Sequence, residues 1–143
     1  MSRRISPLTV TEFLVVLEFA KKIHAEKEEP IPSFHESKIN ELESCLQTPF
    51  QSFGGISLYK GLVNKASMLF YLLARNHVLS NGNKRMACLC MSFFCFKNGY
   101  HLLIPEQVLY HLAKYTVMAK EVDKEKVLRE IKKTINRHIE RKS

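Results

Sequence analysis

A chain of 143 residues with 45% hydrophobic residues is ordinary for a globular protein and long enough to bury a real core, so it reads as a single domain over 1–143. Its longest uncharged apolar run, MACLCMSFFCF at 86–96, is too short to span a bilayer, and the N-terminus MSRRISPLTV has no signal-like apolar core, so a soluble cytoplasmic protein without a membrane partner is expected. Half of the +8 net charge lies between Lys120 and Lys142, where nine Lys/Arg face five Asp/Glu with no aromatic residue interleaved; this excludes the usual DNA- and RNA-binding signatures and favours a solvated helix face.

Gly and Pro are scarce, so the elements are expected to be helices. Thr9-x-x-Glu12 is a capping box, with Val10, Phe13, Leu14 and Leu17 following at helical spacing until the helix fades into charge by Glu29. Pro30 and Pro32 break the chain. Ser33-x-x-Glu36 repeats the capping pattern for a short helix ending before Pro49. The segment TPFQSFGGISLYK at 48–60 alternates poorly and holds Gly54-Gly55, as an exposed loop or small hairpin would.

From Tyr59 a helix follows, with Leu62, Val63, Ala66, Leu69, Phe70 and Leu73 on one face, and His77 continuing that face one turn beyond Leu73. The turn Ser80-Asn81-Gly82 should end it. The next helix runs from about Asn83 through Phe96 and is apolar all round after its first turn, as a helix enclosed by others would be. Asn98-Gly99 stops it. Pro105-Glu106 opens a helix to about Ala119, and Asp123 is placed to cap a last one whose Val127, Leu128, Ile131, Ile135 and Ile139 face inward. Cys45, Cys88, Cys90 and Cys95 lack metal-ligand spacing and read as buried small apolar side chains.

The stretch HVLSNGNKR at 77–85 concentrates polar chemistry between the two most apolar helices. Lys84 and Arg85 stand in the first turn of a helix, where the macrodipole disfavours cations, so stability alone does not account for them. Free first-turn N–H groups, a glycine, an ammonium and a guanidinium suit a phosphate, and a neutral imidazole at His77 could take a proton from an attacking hydroxyl. Taken singly, a core histidine, a solvated Lys-Arg pair and an Asn-Gly turn are each commonplace; their joint placement is what points to a site.

HVLSNGNKR resembles the signature of the Fic/Doc superfamily, H-x-F-x-(D/E)-(A/G)-N-(K/G)-R. LESCLQTPFQSFGGISLY at 42–59 resembles the approach to the family's site, including its flap, and Asn98-Gly99-Tyr100 the segment beyond it; the likeness covers roughly residues 8–120. The resemblance implies an all-α, compact bundle of about six helices with a short flap loop or hairpin. Lys84 and Cys88 stand where adenylyltransferases of the Fic type carry a glycine and a second arginine, so the chain is more similar to the death-on-curing (Doc) branch.

That branch implies an enzyme, a toxin that moves the terminal phosphate of ATP to a Ser/Thr hydroxyl of a target protein, a translation factor being the family-level target. AMP transfer and a non-catalytic nucleotide- or partner-binding module are the alternatives. By the resemblance His77 is the general base, and Gly82, Asn83, Lys84 and Arg85 hold the phosphates. Phe53, Gly54, Gly55 and Ile56 form the flap that docks the target by strand addition, although a plain surface hairpin reads equally well from the residues. Two departures stand out. Leu79 replaces a phenylalanine, and Asn81 replaces the acidic Mg²⁺ ligand, which leaves an uncharged oxygen and a weaker metal site. Ser37…Glu41 has the spacing of the family's inhibitory motif, but Leu42 follows it, so a separately encoded antitoxin is the expected restraint.

Overall fold

The computed structural model describes residues 4–23 and 31–143. Helix α1 (Val10–Ile23) opens on the expected capping box: the Thr9 N–H donates to Glu12 Oε1 at 3.0 Å and the Glu12 N–H to Thr9 Oγ1 at 3.1 Å. It buries Phe13, Val16, Leu17 and Ala20, while Leu14 sits at the rim. Glu29 and Pro30 lie outside the described residues.

The second capping box does not form. The chain enters helix α2 (Ile39–Gln47) through a 3₁₀ turn at Glu36–Lys38, so Ser33 comes too early to reach it. His35 caps the turn instead, its Nδ1 accepting from the Ser37 N–H at 3.2 Å, and Ser33 Oγ accepts from Lys21 Nζ at 2.9 Å. Helix α2 ends before Pro49 as expected, and a 3₁₀ turn at Thr48–Phe50 leads into a hairpin.

Strands β1 (Ser52–Phe53) and β2 (Ile56–Ser57) pair antiparallel around Gly54-Gly55. Both glycines have positive φ, +58° and +81°, as a two-residue hairpin turn requires. The central pair follows: helix α3 (Gly61–Arg75) and helix α4 (Asn83–Lys97). Strand β3 (Tyr100–Leu102), helix α5 (Glu106–Met118), helix α6 (Lys124–His138) and strand β4 (Ile139–Arg141) complete the chain. Among the described residues the fold is thus a mostly helical bundle of six α-helices with two small two-stranded ribbons. No helix of the described residues is long and apolar enough to cross a membrane.

Helices α3 and α4 pack most extensively on each other, with α6 against α3 and α1 against α4. Ala66, Leu69, Phe70 and Leu73 of α3 meet Met86, Ala87, Cys90, Met91 and Phe94 of α4 in one core cluster, which Val127, Leu128, Ile131 and Ile135 of α6 join. Three expectations need correction. Helix α4 is not enclosed: Leu89, Phe93 and the exposed Phe96 line an open apolar groove with Val15 and Phe19 of α1, because no other described element covers that side. Asp123 precedes α6 but makes no side-chain cap bond. Ile139 is half-buried in β4, whose pairing with β3 (Leu102↔Ile139) was not legible in the sequence.

Cys45, Cys90 and Cys95 are buried free thiols, and Cys88 is half-buried. Burial pushes the Cys45 thiol up to about 11 and those of Cys88 and Cys95 to about 12, which suits the apolar role.

Glu12 ties the N-terminal helix to the end of α4 through an ion pair with Lys97 at 2.5 Å. Burial alone would raise its carboxyl; the Lys97 ammonium and the Thr9 bonds outweigh that and hold it below the ordinary 4.5. A carboxyl depressed on folding contributes stability that is complete above its unfolded value and lost as pH falls through its folded one. Glu12→Gln should therefore lower Tm at neutral pH by a few degrees, and the gap to the wild type should close in acid. Thermal scans of both proteins from pH 7 down to about pH 3 test this.

Candidate functional site

The loop between α3 and α4 begins at Asn76, four residues before the Ser80 turn at which the sequence places it. Helix α3 stops at Arg75, and Asn76 caps it with both its backbone N–H and its Nδ2 donating to the Leu72 carbonyl at 2.9 Å. His77 is therefore not on the buried face of α3. A Val78 N–H to Asn76 carbonyl bond of 2.9 Å closes a three-residue turn with His77 at its centre, and its side chain is exposed. The next two residues hold the loop down: Val78 and Leu79 are 2% and 3% exposed. Leu79 is thus a core anchor, the role in which leucine replaces phenylalanine at little cost.

The loop is stapled from the other end. Asn83, the first residue of α4, accepts from the Leu79 N–H at 3.0 Å through Oδ1 and donates through Nδ2 to the Leu79 carbonyl at 2.8 Å. Its side chain satisfies both the backbone donor and the backbone acceptor of one buried residue. The sequence assigned Asn83 to phosphate; its side chain is committed first to the loop, and it offers an anion its place in the first turn of the helix.

Gly82 has φ +84° and precedes α4 without any side-chain cap. A Cβ there would lie 2.9 Å from Ile31 Cγ1 and 3.3 Å from Cγ2, and Ile31 is itself buried. Gly82 is thus required twice, by backbone conformation and by Ile31. Its N–H donates to Asn81 Oδ1 at 2.8 Å, which leaves that amide oxygen one lone pair. Lys84 is exposed and Arg85 half-buried in the first turn of α4, the positive end of a 15-residue helix. Cys88, one turn on, carries a thiol pushed up to about 12 by burial and so brings no charge.

The other predicted residues fall as follows. Phe53 and Ile56 face each other across the hairpin and are 81% and 60% exposed, and a Cβ on Gly54 or Gly55 would meet nothing within 4 Å. The flap is a protruding hairpin. Glu41 is exposed, and Leu42 behind it is fully buried, so the position after Glu41 serves the core.

Three residues with a part in this arrangement escaped the sequence reading. Ile31 seals Gly82 and Asn76 ends α3; neither carries a local signal. Lys65 does carry one, since it interrupts the apolar face that runs from Leu62 to Leu69. It is 8% exposed, donates to Ser57 Oγ at 3.0 Å and to the Tyr59 carbonyl, and lies 5.2 Å from the Phe50 ring centroid.

A mostly helical bundle with a short flap hairpin is the fold that the Fic/Doc resemblance implies. The profile of the Fic/DOC family matches residues 14–95, more than half of the chain, and the chain belongs to that family. It is also 38% identical over 61 residues to Toxin Doc of Mycolicibacterium smegmatis (strain ATCC 700084 / mc(2)155). That match covers 43% of this chain and 47% of the relative, so the chain spans about half the length of the curated relative it matches. No solved structure matches.

Proposed function

We propose that the chain is a Doc-like phosphotransferase toxin that moves the terminal phosphate of ATP to a Ser/Thr hydroxyl of a target protein, and that a separately encoded antitoxin restrains it. The observation that carries this reading is the loop at 76–83: one turn holds His77 outward, and the Asn83 staple ties the same loop to the uncapped start of α4. In this reading the target hydroxyl oxygen attacks the γ-phosphorus, the bond to the bridging oxygen breaks and ADP leaves. His77 takes the hydroxyl proton. The N-terminus of α4, Lys84 and Arg85 neutralise the charge on the phosphoryl oxygens, and Arg85 offers them a planar fork. The flap at Ser52–Ser57 holds an extended target segment along its open strand edge.

Mg²⁺ bound with the nucleotide would supply positive charge that offsets part of the negative charge on the phosphates. A Mg²⁺ site needs as little as one protein oxygen beside the phosphates, and the remaining lone pair of Asn81 Oδ1 fits that need without adding charge. Asn81→Asp should accordingly bind Mg²⁺–ATP more tightly and transfer faster at low magnesium, with the gain shrinking at saturating metal. Magnesium titrations read by calorimetry and by labelled transfer check this; an unchanged metal affinity removes Asn81 from the metal site.

Phosphate rather than AMP transfer is favoured by Cys88. A neutral thiol stands where an adenylyltransferase of the Fic type has its second arginine, and it cannot hold the charge of a triphosphate. Incubation with a cell lysate and ATP labelled at the α or the γ position tests the proposal. A γ-labelled protein band supports it, an α-labelled band replaces it with AMP transfer, and no label in either case leaves a binding module.

A further inference from the structure

The flap lacks support at its tip. Beyond the turn its two exposed apolar side chains, Phe53 and Ile56, meet solvent, and a two-stranded ribbon of this length is marginal in water. Its position must be set at its base. There the Leu58 N–H donates to the Gln51 carbonyl at 3.0 Å, and one buried ammonium gathers both legs. Phe50, whose ring Lys65 overlies, precedes β1; Ser57 and Tyr59, which accept its hydrogen bonds, lie in and just after β2. Burial lowers the affinity of Lys65 for its proton, so the cation is held against a desolvation cost. A leucine or methionine would fill the same apolar face of α3 without that cost.

Helix α3 also carries the histidine turn at its other end. From Lys65 to Arg75 is ten residues of one helix, roughly 15 Å at 1.5 Å per residue, with no break between them. The flap anchor and His77 are therefore attached to one rigid element.

We propose that Lys65 is the positioning residue of the flap: its bonds to Ser57 and Tyr59 and its contact with Phe50 fix the hairpin to α3, so that a target segment added to the flap edge delivers its hydroxyl in register with His77. The proposal deepens the phosphotransfer reading and rests on it for its last clause. Misplacement of a reacting group by about 1 Å can cost on the order of 100-fold in rate, which is the reason to hold a short exposed hairpin with a buried charge.

The test compares the full chain with Lys65→Met and Lys65→Arg by hydrogen–deuterium exchange, calorimetry with Mg²⁺–ATP and the γ-label assay. In Lys65→Met the amides of 51–59 should exchange about ten times faster, while those of α3 and α4 keep their protection and Tm does not fall, since methionine fills the site without a buried charge. Its ATP affinity should stay within about twofold, because Lys65 stands away from the phosphate-binding turn, and labelling of the target should drop at least tenfold. Lys65→Arg, which keeps the charge, should retain slow flap exchange. Flap exchange equal to wild type in Lys65→Met overturns the proposal. So does faster exchange throughout α3 and α4 with a lower Tm, which makes Lys65 a fold residue only. A wild-type chain that labels nothing refutes the phosphotransfer reading, whereas the exchange data still decide whether Lys65 fixes the flap.

Discussion

His77→Ala is expected to lose transfer by about 10²- to 10⁴-fold, the usual contribution of a positioned general base. Its fold should survive. The imidazole is exposed at the centre of a turn that is closed by backbone, the Val78 N–H on the Asn76 carbonyl, so no buried contact or structural bond is removed. The melting temperature should stay within about 2 °C of wild type, since surface changes of this kind stay within about 0.5 kcal/mol. Affinity for Mg²⁺–ATP should be unaffected, because in the proposed reading the ring acts on the hydroxyl while the α4 turn takes the phosphates. Turnover by the alanine variant comparable to wild type removes His77 from the chemistry, and a large loss of ATP affinity moves it to the nucleotide.

Asn83→Ala is expected to damage both stability and activity. The side chain satisfies the N–H and the carbonyl of Leu79, a residue 3% exposed, and alanine leaves both groups without their partner. An unsatisfied buried backbone group costs about 1–3 kcal/mol, so the two together cost about 2–6 kcal/mol, and a Tm lower by about 10 °C or more follows. Activity should fall further than ATP binding does, since the staple fixes the spacing between His77 and the start of α4 rather than the phosphate contacts alone. Denaturant unfolding and the γ-label assay read the two effects separately. A variant with wild-type stability would show that the Leu79 peptide finds water or another partner, and that the loop needs no staple.

Much of this arrangement was legible because it is local. The capping box of Thr9 and Glu12, the stops at Asn98-Gly99 and the inward stripe of α6 each depend on residues within one or two turns of each other, and they formed where the sequence placed them. The hairpin at Gly54-Gly55 was legible for the same reason, since only glycine takes two successive positive φ angles at no cost. The chemistry of HVLSNGNKR was also legible, because nine consecutive residues bring an imidazole, an ammonium and a guanidinium together whatever the rest of the chain does.

Other features required the tertiary structure. Periodicity placed His77 on the face of α3, but periodicity cannot say where a helix ends; Asn76 ended it by turning its amide back to Leu72, and two residues decided whether an imidazole is buried or exposed. Asn83 looked like a phosphate ligand, and its side chain is the staple, a function that exists only once Leu79 is buried and its backbone N–H and carbonyl are cut off from water. The pairing of Leu102 with Ile139, the seal of Ile31 on Gly82 and the anchoring of the flap by Lys65 join residues whose own neighbours in the chain do not single out their partners. The sequence by itself determined the helical elements, the glycine turns and the set of reactive groups, because conformational preference and side-chain chemistry are local properties. The tertiary structure decided which of those groups face solvent, which are held and by what, because burial and hydrogen-bond satisfaction belong to the packed chain as a whole.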